Sequence, residues 1–464
     1  MASKSPKHIA QDTRKRPSVD NVVYAGDSPA KTLISRRKFL YGAIGAGAVA
    51  AVGIGAVALN SRNDDNEITY LEVPEQSVTA LASMEVVDDY ETRVSLIASH
   101  DLPYGTLIWC NSDEAAACLL PCDTGKPLTQ IGLLYLGSGT VNTLLERAIG
   151  TDRGFEVYDV RATTTGVIWT EANVLEGTWR IYTARIAGGN LESIALADEG
   201  DETYDTPTLG MAGSYAFWQL LPKSPNSDLL PSLLKRIKPG AKTAETVYEN
   251  ARRMATVPYC SARNVTITPR IDSSSVYYQL TCIDSETGEI TDTCTLPQGM
   301  KPLEAGYGKT GFMFSFENIY NYGGGIANLG TYCPMKLPAR DGYSDVNWFS
   351  FARTPSAAPA WAGDLLIVKS TYSVCGVDLA KQQYFAIDVD NGADDYGEYL
   401  ASSGEHETFV TFSNIDHAPV DAEAEKACRV KIWRPLSAAA LAANSAGSVD
   451  SDIEPEPIRP ETTA

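Results

Sequence analysis

Two segments of the sequence concentrate carboxylates densely enough to bind a hard cation such as calcium. They comprise Asp388, Asp390, Asn391, Asp394 and Asp395 in one segment and Asp198, Glu199, Asp201, Glu202 and Asp205 in the other. An EF-hand loop that began at Asp388 would need a bidentate glutamate at its twelfth position, where the sequence has Tyr399, and its glycine would come one place after Gly392. Solvated acidic turns are therefore the favoured interpretation, and no metal site is predicted.

Glu171 is the carboxylate to consider first for acid or base catalysis. It follows a strand-like apolar run in the segment IWTEAN, although a lone glutamate after a strand usually faces solvent. The sequence contains no G-x-S-x-G motif, and no Ser-His-Asp set can be chosen from it. Catalytic residues are therefore not assigned.

The nine cysteines could form disulfides or bind a metal. Cys282 and Cys294 flank one predicted hairpin and could face each other across it, whereas Cys118 and Cys122 are one residue too far apart for a C-x-x-C motif. The histidines outside the head are His100, His406 and His417, and none is paired with cysteines at zinc-ligand spacing. Buried thiols with one or two disulfides are favoured, and no cofactor is predicted.

Two glycine-rich segments match phosphate-binding motifs only in part. Residues 306–310 (GYGKT) fit the end of G-x-x-x-x-G-K-[ST], but the first glycine would fall at Leu303 and the strand-like run FMFSF follows instead of a helix. Residues 45–50 (GAGAVA) fit the dinucleotide fingerprint letter for letter, but a basic polar segment precedes them where a strand is required. We interpret the first as a turn entering a strand and the second as accidental.

Charge is distributed unevenly along the 464 residues. The net charge is −20, but residues 1–58 hold nine basic and three acidic residues and carry +6, which leaves −26 for the rest. A strongly acidic body argues against nucleic acid or anionic lipid as its partner. A basic head before an acidic body is typical of export in which the head stays inside.

The head contains a compact basic and aromatic motif. Its residues are Ser35, Arg36, Arg37, Phe39 and Leu40. The motif resembles the S-R-R-x-F-L core of bacterial twin-arginine translocation (Tat) signals and departs from them at Tyr41, where lysine is common. The resemblance implies export across the cytoplasmic membrane, with the Tat translocase as a partner.

An uncharged stretch, residues 41–59, follows the motif directly and is rich in glycine and alanine. As a helix these nineteen residues would span roughly 28 Å, about the thickness of the hydrocarbon core. Ala56 and Ala58 also provide a small-x-small cleavage site. Two outcomes are open: a cleaved signal that releases the domain, or a transmembrane anchor that keeps the domain on the external side of the cytoplasmic membrane.

The body returns repeatedly to short apolar runs of strand type. Seven such runs are centred on Trp109, Trp169, Phe217, Tyr277, Phe314, Leu366 and Val410. Their mean spacing of about 50 residues lies in the range of propeller blades, and turn sequences at residues 286–288 and 239–240 join strand pairs. The pattern predicts an all-β fold: a single β-propeller of about seven four-stranded blades after one N-terminal signal or anchor helix. It resembles the propellers of exported and surface proteins in architecture only, and a pair of β-sandwiches is the alternative.

The predicted segments follow from these patterns. They are a disordered basic cytoplasmic head (1–34), the Tat signal or anchor (35–59), a linker (60–66), the propeller (67–436) and a disordered acidic tail (437–464). Residues 68–74 (ITYLEVP) are the candidate strand that completes the last blade and closes the ring.

Function is predicted from what the motifs exclude. Because no metal, haem, nucleotide or triad signature emerges, the sequence favours a binding module at the cell surface whose loops or axial channel hold a peptide, glycan or protein. The alternative is an exported enzyme, either a glycan-acting hydrolase or lyase with paired carboxylates or a redox protein loaded with its cofactor before export.

Overall fold

The structure, a computed structural model, describes residues 68–121, 130–223, 230–339, 342–416 and 426–436. The predicted head, the Tat motif, residues 41–59 with Ala56 and Ala58, the tail, Cys122 and His417 all lie outside these ranges. The helical turns of the described chain are short 3-10 turns at Glu75–Ser77, Leu81–Ser83, Tyr90–Thr92, Thr151–Arg153 and Tyr343–Asp345. No helix within the described ranges is long and apolar enough to cross a membrane.

Six sheets are each built around four consecutive antiparallel strands, after an N-terminal segment that contains β1 (Val78–Ala80), β2 (Glu85–Val86) and β3 (Val94–Pro103). Blade 1 contains β4 (Leu107–Trp109), β5 (Ala115–Leu120), β6 (Gln130–Tyr135) and β7 (Val141–Leu145). Blade 2 contains β8 (Glu156–Ala162), β9 (Gly166–Asn173), β10 (Thr178–Ala187) and β11 (Asn190–Gly200). Blade 3 contains β12 (Thr208–Ala212), β13 (Tyr215–Leu220), β14 (Ser232–Ile237) and β15 (Glu245–Asn250). Blade 4 contains β16 (Tyr259–Ser261), β17 (Asn264–Ile267), β18 (Gln279–Asp284) and β19 (Ile290–Thr295); blade 5 contains β20 (Glu304–Gly308), β21 (Gly311–Phe316), β22 (Gly330–Pro334) and β23 (Trp348–Phe351); blade 6 contains β24 (Ala360–Ala362), β25 (Leu365–Lys369), β26 (Val374–Asp378) and β27 (Gln383–Ala386).

A composite sheet joins the two ends of the described chain. Its strand order is β28 (Tyr399–Leu400), β30 (Phe409–Ile415), β31 (Ala427–Pro435) and β3, while β29 (Gly404–His406) leaves it to pair with β24 of blade 6. The antiparallel pairing of β3 with β31 runs from one end of β3 to the other. A strand from the opposite end of the chain therefore closes the ring, as the sequence predicts.

The identity of that closing strand corrects the prediction. Residues 68–74 do not complete the last blade; Leu71 and Val73 are buried instead in the core between blades 4 and 5. The apolar character of this segment is explained by that burial. The closing strand β3 has mostly exposed or half-buried side chains, so its sequence carries only a weak apolar signal.

The hydrophobic core is divided among the contacts between neighbouring sheets. Each of its seven clusters combines residues of two adjacent sheets, and together they run right round the ring. This arrangement confirms an all-β propeller and disagrees with a pair of β-sandwiches. The prediction of about seven four-stranded blades is corrected to six, because six blades are continuous meanders and the remaining sheet is the composite that joins the two ends of the described chain.

The apolar runs in the sequence occupy the second strand in most blades. Strands such as β21 and β25 are buried along their whole length because both of their faces pack against neighbouring blades. Two runs lie elsewhere: the run around Trp109 forms the innermost strand β4, and the run around Tyr277 leads into the third strand β18. The predicted turns at residues 286–288 and 239–240 do join third and fourth strands, with Gly288 and Gly240 both at φ +77°.

Residues 68–93 form a belt along the outer edges of blades 4, 5 and 6. The backbone N–H of Leu71 donates to the carbonyl oxygen of Thr295 at 2.7 Å, β1 pairs in parallel with β23, and β2 pairs in parallel with β27. Gly325 leaves room for the belt, since a Cβ there would lie 2.8 Å from the carbonyl oxygen of Pro74. The belt then continues into β3, so the same segment covers three blades and closes the ring.

The outer strands fall into two classes. No described strand covers the outer edge of β3, β7, β11, β15 or β19, and each of these has a register shift against its inner neighbour. The belt adds a strand to β23 and to β27, and both of these pair with their inner neighbours without a register shift. Because bulges interrupt the row of groups that an edge strand offers to another chain, the fold opposes edge-to-edge pairing where the belt adds no strand.

Candidate functional site: the loop face and the cleft of blade 2

The connections between strands emerge at two opposite ends of the propeller. In an antiparallel meander, the second-to-third connection and the connection to the next blade lie at the same end. We call this end the loop face and the opposite end the turn face. The loop face carries the longer and more varied connections, such as residues 146–155 before β8 and 317–329 before β22.

Exposed apolar side chains are concentrated on the loop face. Among the described residues, those on its connections are Ile149, Val174, Leu175, Val257, Ile319, Leu329, Tyr372 and Tyr396. Of the described turn-face residues only Leu337 belongs to this group, and the belt and outer strands carry Val86, Leu96, Ile97, Ile194, Leu196 and Ile290. An uneven distribution of this kind marks a surface that contacts another molecule.

A cleft of about 410 Å³ opens at the outer part of blade 2, and its lining includes Glu176, the residue that follows Leu175 in the turn between β9 and β10. Its lining residues are Arg153, Phe155, Glu176, Thr178, Trp179, Arg180, Glu199 and Gly200. They come from the connection before β8, the turn between β9 and β10 with the first residues of β10, and the end of β11. Three separate parts of blade 2 therefore have to be held together for the cleft to form.

An arginine and two aromatic rings form the inner part of the cleft. The Arg180 guanidinium lies 4.4 Å from the centre of the Phe155 ring, and its Nε is 3.4 Å from Oε2 of Glu199. Trp179 is buried and donates from its indole N–H to the carbonyl oxygen of Asp201 at 3.2 Å. Gly200 permits this arrangement, because a Cβ there would meet the Trp179 ring at 2.2 Å.

Glu171 is a supporting residue of this site, and its predicted solvent exposure is wrong. Its side chain is fully buried and accepts hydrogen bonds from the backbone N–H of Ile149 (2.6 Å), the backbone N–H of Gly150 (2.9 Å) and the indole N–H of Trp169 (3.1 Å). Glu171 is buried because the connection before β8 packs over the end of β9. The backbone N–H groups of that connection need a hydrogen-bond acceptor, which the Glu171 carboxylate supplies. Both carboxylate oxygens are therefore engaged, and Glu171 fixes the loop that carries Ile149.

Asn173 links the two loops that form the rim of the cleft. Its side-chain amide donates to the carbonyl oxygen of Arg153 at 3.1 Å, and its Oδ1 accepts from the backbone N–H of Glu176 at 3.3 Å. Together with Glu171, it ties residues 146–155 to the turn between β9 and β10. The cleft is thus held in shape by side chains at the end of a fully buried strand.

The acidic segment around Gly392 contacts basic and hydroxyl groups of the composite sheet. The Lys431 ammonium lies 3.0 Å from Oε2 of the buried Glu398 and 3.2 Å from Oδ2 of Asp390. Asp394 accepts hydrogen bonds from the Tyr399 hydroxyl and the backbone N–H of Tyr396. These contacts make the segment part of the packing rather than a freely solvated turn.

The other acidic segment lies partly within β11 and is likewise paired. Asp198 accepts from the Trp218 indole at 2.8 Å and from Lys235 at 2.7 Å, and Asp205 pairs with Arg253. Within the described ranges, no group of three or more His, Cys, Asp or Glu side chains is arranged to hold a metal ion.

The described cysteines are all buried and none of them forms a disulfide with another described cysteine, while Cys122 lies outside the described residues. Cys282 and Cys294 lie on adjacent strands of blade 4, but the register sets Cys282 opposite Asp292 and Cys294 opposite Leu280. The disulfide considered from the sequence is not formed in this structure. Burial raises the pKa of Cys282 to about 12, so the thiol is protonated and unreactive at neutral pH.

Two further sequence motifs prove structural. Residues 306–310 form the end of β20 and its turn into β21, as predicted, and Lys309 donates to the carbonyl oxygen of Gly363 at 2.9 Å. Nε2 of His100 and Nε2 of His406 are hydrogen-bonded to backbone carbonyl oxygens, at 3.0 and 2.8 Å. An imidazole held in this way is not available as a general base through that nitrogen.

The chain itself occupies part of the propeller axis. Strand β29 pairs in parallel with β24 and also contacts the innermost strands β16 and β20. The Tyr259 hydroxyl donates to the carbonyl oxygen of Pro359 (2.6 Å) and accepts from the backbone N–H of Gly404 (2.8 Å). On the innermost strands, Gly308 makes room for the Trp361 ring, which a Cβ would meet at 2.3 Å. Strand β29 and its contacts therefore fill part of the axial channel considered from the sequence.

Buried Lys369 predicts an unusual pH dependence of stability. Its ammonium donates to the carbonyl oxygens of Thr371 (3.2 Å) and Tyr396 (3.0 Å), and burial lowers its pKa from 10.5 to about 8, partly offset by Glu398. Between pH 8 and pH 10.5 the unfolded chain holds this proton and the folded chain does not, so the Lys369 contribution to the free energy of unfolding rises with pH. The wild-type free energy of unfolding should gain about 3 kcal/mol from Lys369 between pH 8 and pH 10.5, and Lys369→Met should abolish this gain.

Urea unfolding at a series of pH values, compared between wild type and Lys369→Met, measures this difference. The exposed Lys381, in a Lys381→Met variant, is the matched control and should follow the wild-type profile. Parallel profiles for wild type and Lys369→Met would contradict the lowered pKa.

No protein-family model and no curated protein matches this sequence. Solved structures of similar fold include a prolyl endopeptidase (11% identity, 69% of this chain and 46% of that chain, TM-score 0.41), a post-proline cleaving enzyme from Rickettsia typhi (13%, 67% and 50%, 0.42) and the Dos1 propeller (9%, 74% and 95%, 0.36). The matched region spans about half the length of the two peptidase chains. The fold assignment accordingly rests on the strand topology and the interblade cores of this chain.

Proposed function

We propose that this protein is an exported β-propeller that binds a peptide or protein partner through its loop face. The observation that carries the proposal is the concentration of exposed apolar side chains on the connections of that face. The closed ring and its continuous interblade cores supply a rigid support for these connections, as is common for binding loops. The part of the axis taken up by β29 makes the loop face, rather than the axial channel, the surface available to a partner.

The alternative of an exported enzyme receives no specific support from the described side chains. Glu171, the carboxylate considered first for catalysis, has both oxygens engaged by N–H groups of the protein. Asp390 and Glu398 both face Lys431. These contacts are those of structural residues, so we base the proposal on binding.

Export through the Tat pathway is supported by the sequence alone. Its support is the motif that contains Arg36 and Arg37, together with the basic head and acidic body. Replacing both arginines by lysine in the source bacterium should retain the protein in the cytoplasm, which cell fractionation and blotting would detect. Export at the wild-type level would reject this part of the proposal. The intact mass of the exported protein would then distinguish a chain cleaved after Ala58 from an anchored chain.

The loop-face proposal is tested by comparing two sets of surface variants. One carries Val257→Ser, Ile319→Ser and Tyr372→Ser on the loop face, and the other carries Leu337→Ser and Ile290→Ser away from it. After mild crosslinking in the native envelope, quantitative mass spectrometry should show partners that are lost from the first set and retained by the second. The same partners at equal levels in both sets would reject the loop face as the binding surface.

A further inference from the structure

The rim of the blade 2 cleft, defined as the connection before β8 and the turn between β9 and β10, carries three exposed apolar side chains. Ile149, Val174 and Leu175 are 48%, 61% and 100% exposed. Leu175 stands at the tip of the turn between β9 and β10, a place where polar residues and glycine are usual. An apolar side chain held fully in water at a turn is of use to the protein when another molecule covers it.

The rim is preformed, which lowers the entropy cost of binding. Ile149 is fixed by the hydrogen bond from its N–H to Glu171, and the turn that carries Leu175 is fixed by Asn173. Asn173 also holds the connection before β8 through the carbonyl oxygen of Arg153. A partner would therefore meet an ordered apolar surface rather than two independent loops.

The charges around the cleft favour a basic partner. Carboxylates on or beside its lining are exposed, and they are Asp152, Glu176, Glu199, Asp201 and Glu202. The Arg180 guanidinium is paired with Glu199 and stacked on Phe155, so Arg153 is the exposed cation of the lining. The net local charge is negative, and the chain after residue 58 carries −26 overall, which steers cationic molecules toward the protein.

Resting on the proposed function, we infer that blade 2 carries the main docking site and that its partner is a protein segment combining apolar and basic residues. An apolar side chain of the segment covers Val174 and Leu175. A neighbouring lysine or arginine extends toward Glu176 and Glu199 at the mouth of the cleft. The apolar contact supplies affinity, and the carboxylates select the sign of the partner's charge.

The probe for this inference is a fluorescein-labelled heptapeptide of alternating lysine and leucine, measured by fluorescence anisotropy against the whole protein. A Val174→Ser, Leu175→Ser double variant should bind it at least about tenfold more weakly than wild type. Glu176→Gln should weaken binding several-fold and reduce its salt dependence. A heptapeptide of alternating glutamate and leucine should not bind measurably.

Leu337→Ser and Glu192→Gln are the matched controls, because both residues are exposed and lie outside the cleft. Equal weakening in these controls, or unchanged affinity in the double variant, would overturn the inference. Binding of the glutamate peptide would overturn the predicted charge of the partner. If Ile319→Ser with Tyr372→Ser weakened binding while the double variant did not, the loop-face proposal would stand and the blade 2 site would fail. All substituted positions are exposed, and unchanged thermal unfolding verifies the fold.

Discussion

Replacing Glu304 by alanine is expected to lower the free energy of unfolding by about 3–5 kcal/mol, although Glu304 is not part of the blade 2 cleft. Oε2 of Glu304 is 2.6 Å from the Arg353 guanidinium, whose side chain is only 1% exposed. Ser315 also donates to Glu304 at 2.6 Å. Removing the carboxylate leaves a buried guanidinium whose remaining bonds go to the carbonyl oxygens of Thr354 and Ala357. The uncompensated buried charge, rather than the lost bond, accounts for most of the effect.

Urea unfolding followed by tryptophan fluorescence measures this loss. Glu192→Ala is the matched control, because the Arg185 and Glu192 side chains are 61% and 49% exposed and such a pair contributes less than about 1 kcal/mol. A Glu304→Met, Arg353→Met double variant should recover most of the stability, since neither charge is then buried alone. A loss in Glu304→Ala as small as that in Glu192→Ala would contradict the buried-pair explanation.

The sequence predicts the propeller because second strands of blades must be apolar on both faces. Five of the seven apolar runs coincide with second strands for this reason, as β21 and β25 illustrate. Blade 4 departs from this pattern, because its second strand β17 has only four residues and the stronger run leads into β18. The prediction was wrong at the closing strand, because an outer strand such as β3 has one solvated side and lacks a regular apolar pattern.

Most of the candidate site could not be predicted from the sequence. Its lining comes from the connection before β8, the turn between β9 and β10 with the start of β10, and the end of β11, and no spacing rule joins those positions. One signal was available: Val174 and Leu175 are apolar residues in a short turn between two strands. The role of Glu171 could not be predicted from the sequence either. Its carboxylate is needed as a hydrogen-bond acceptor only because the connection before β8 packs over the end of β9 with free N–H groups.

The single closing strand makes the ring sensitive to change at one position. Val94, the first residue of β3, is fully buried and packs in the core between blade 6 and the composite sheet with Phe409 and Trp433. Val94→Asp would place an unpaired carboxylate in that core and should lower the free energy of unfolding by more than about 4 kcal/mol. Leu96→Asp, at a residue of the same strand that is 49% exposed, should cost less than about 1 kcal/mol.

Hydrogen exchange resolved by mass spectrometry separates closure from general destabilisation. If β3 and the belt act as one closing segment, Val94→Asp should raise exchange first in β1, β2, β3 and β31, while blade 2 and blade 3 stay protected. Uniform exchange throughout the ring would mean instead that the propeller unfolds as one unit. Exchange that rises first in these strands would mean that the N-terminal segment opens before the rest of the ring. Once the belt has left them, β23 and β27 would expose edges that have no bulge to prevent pairing with another chain.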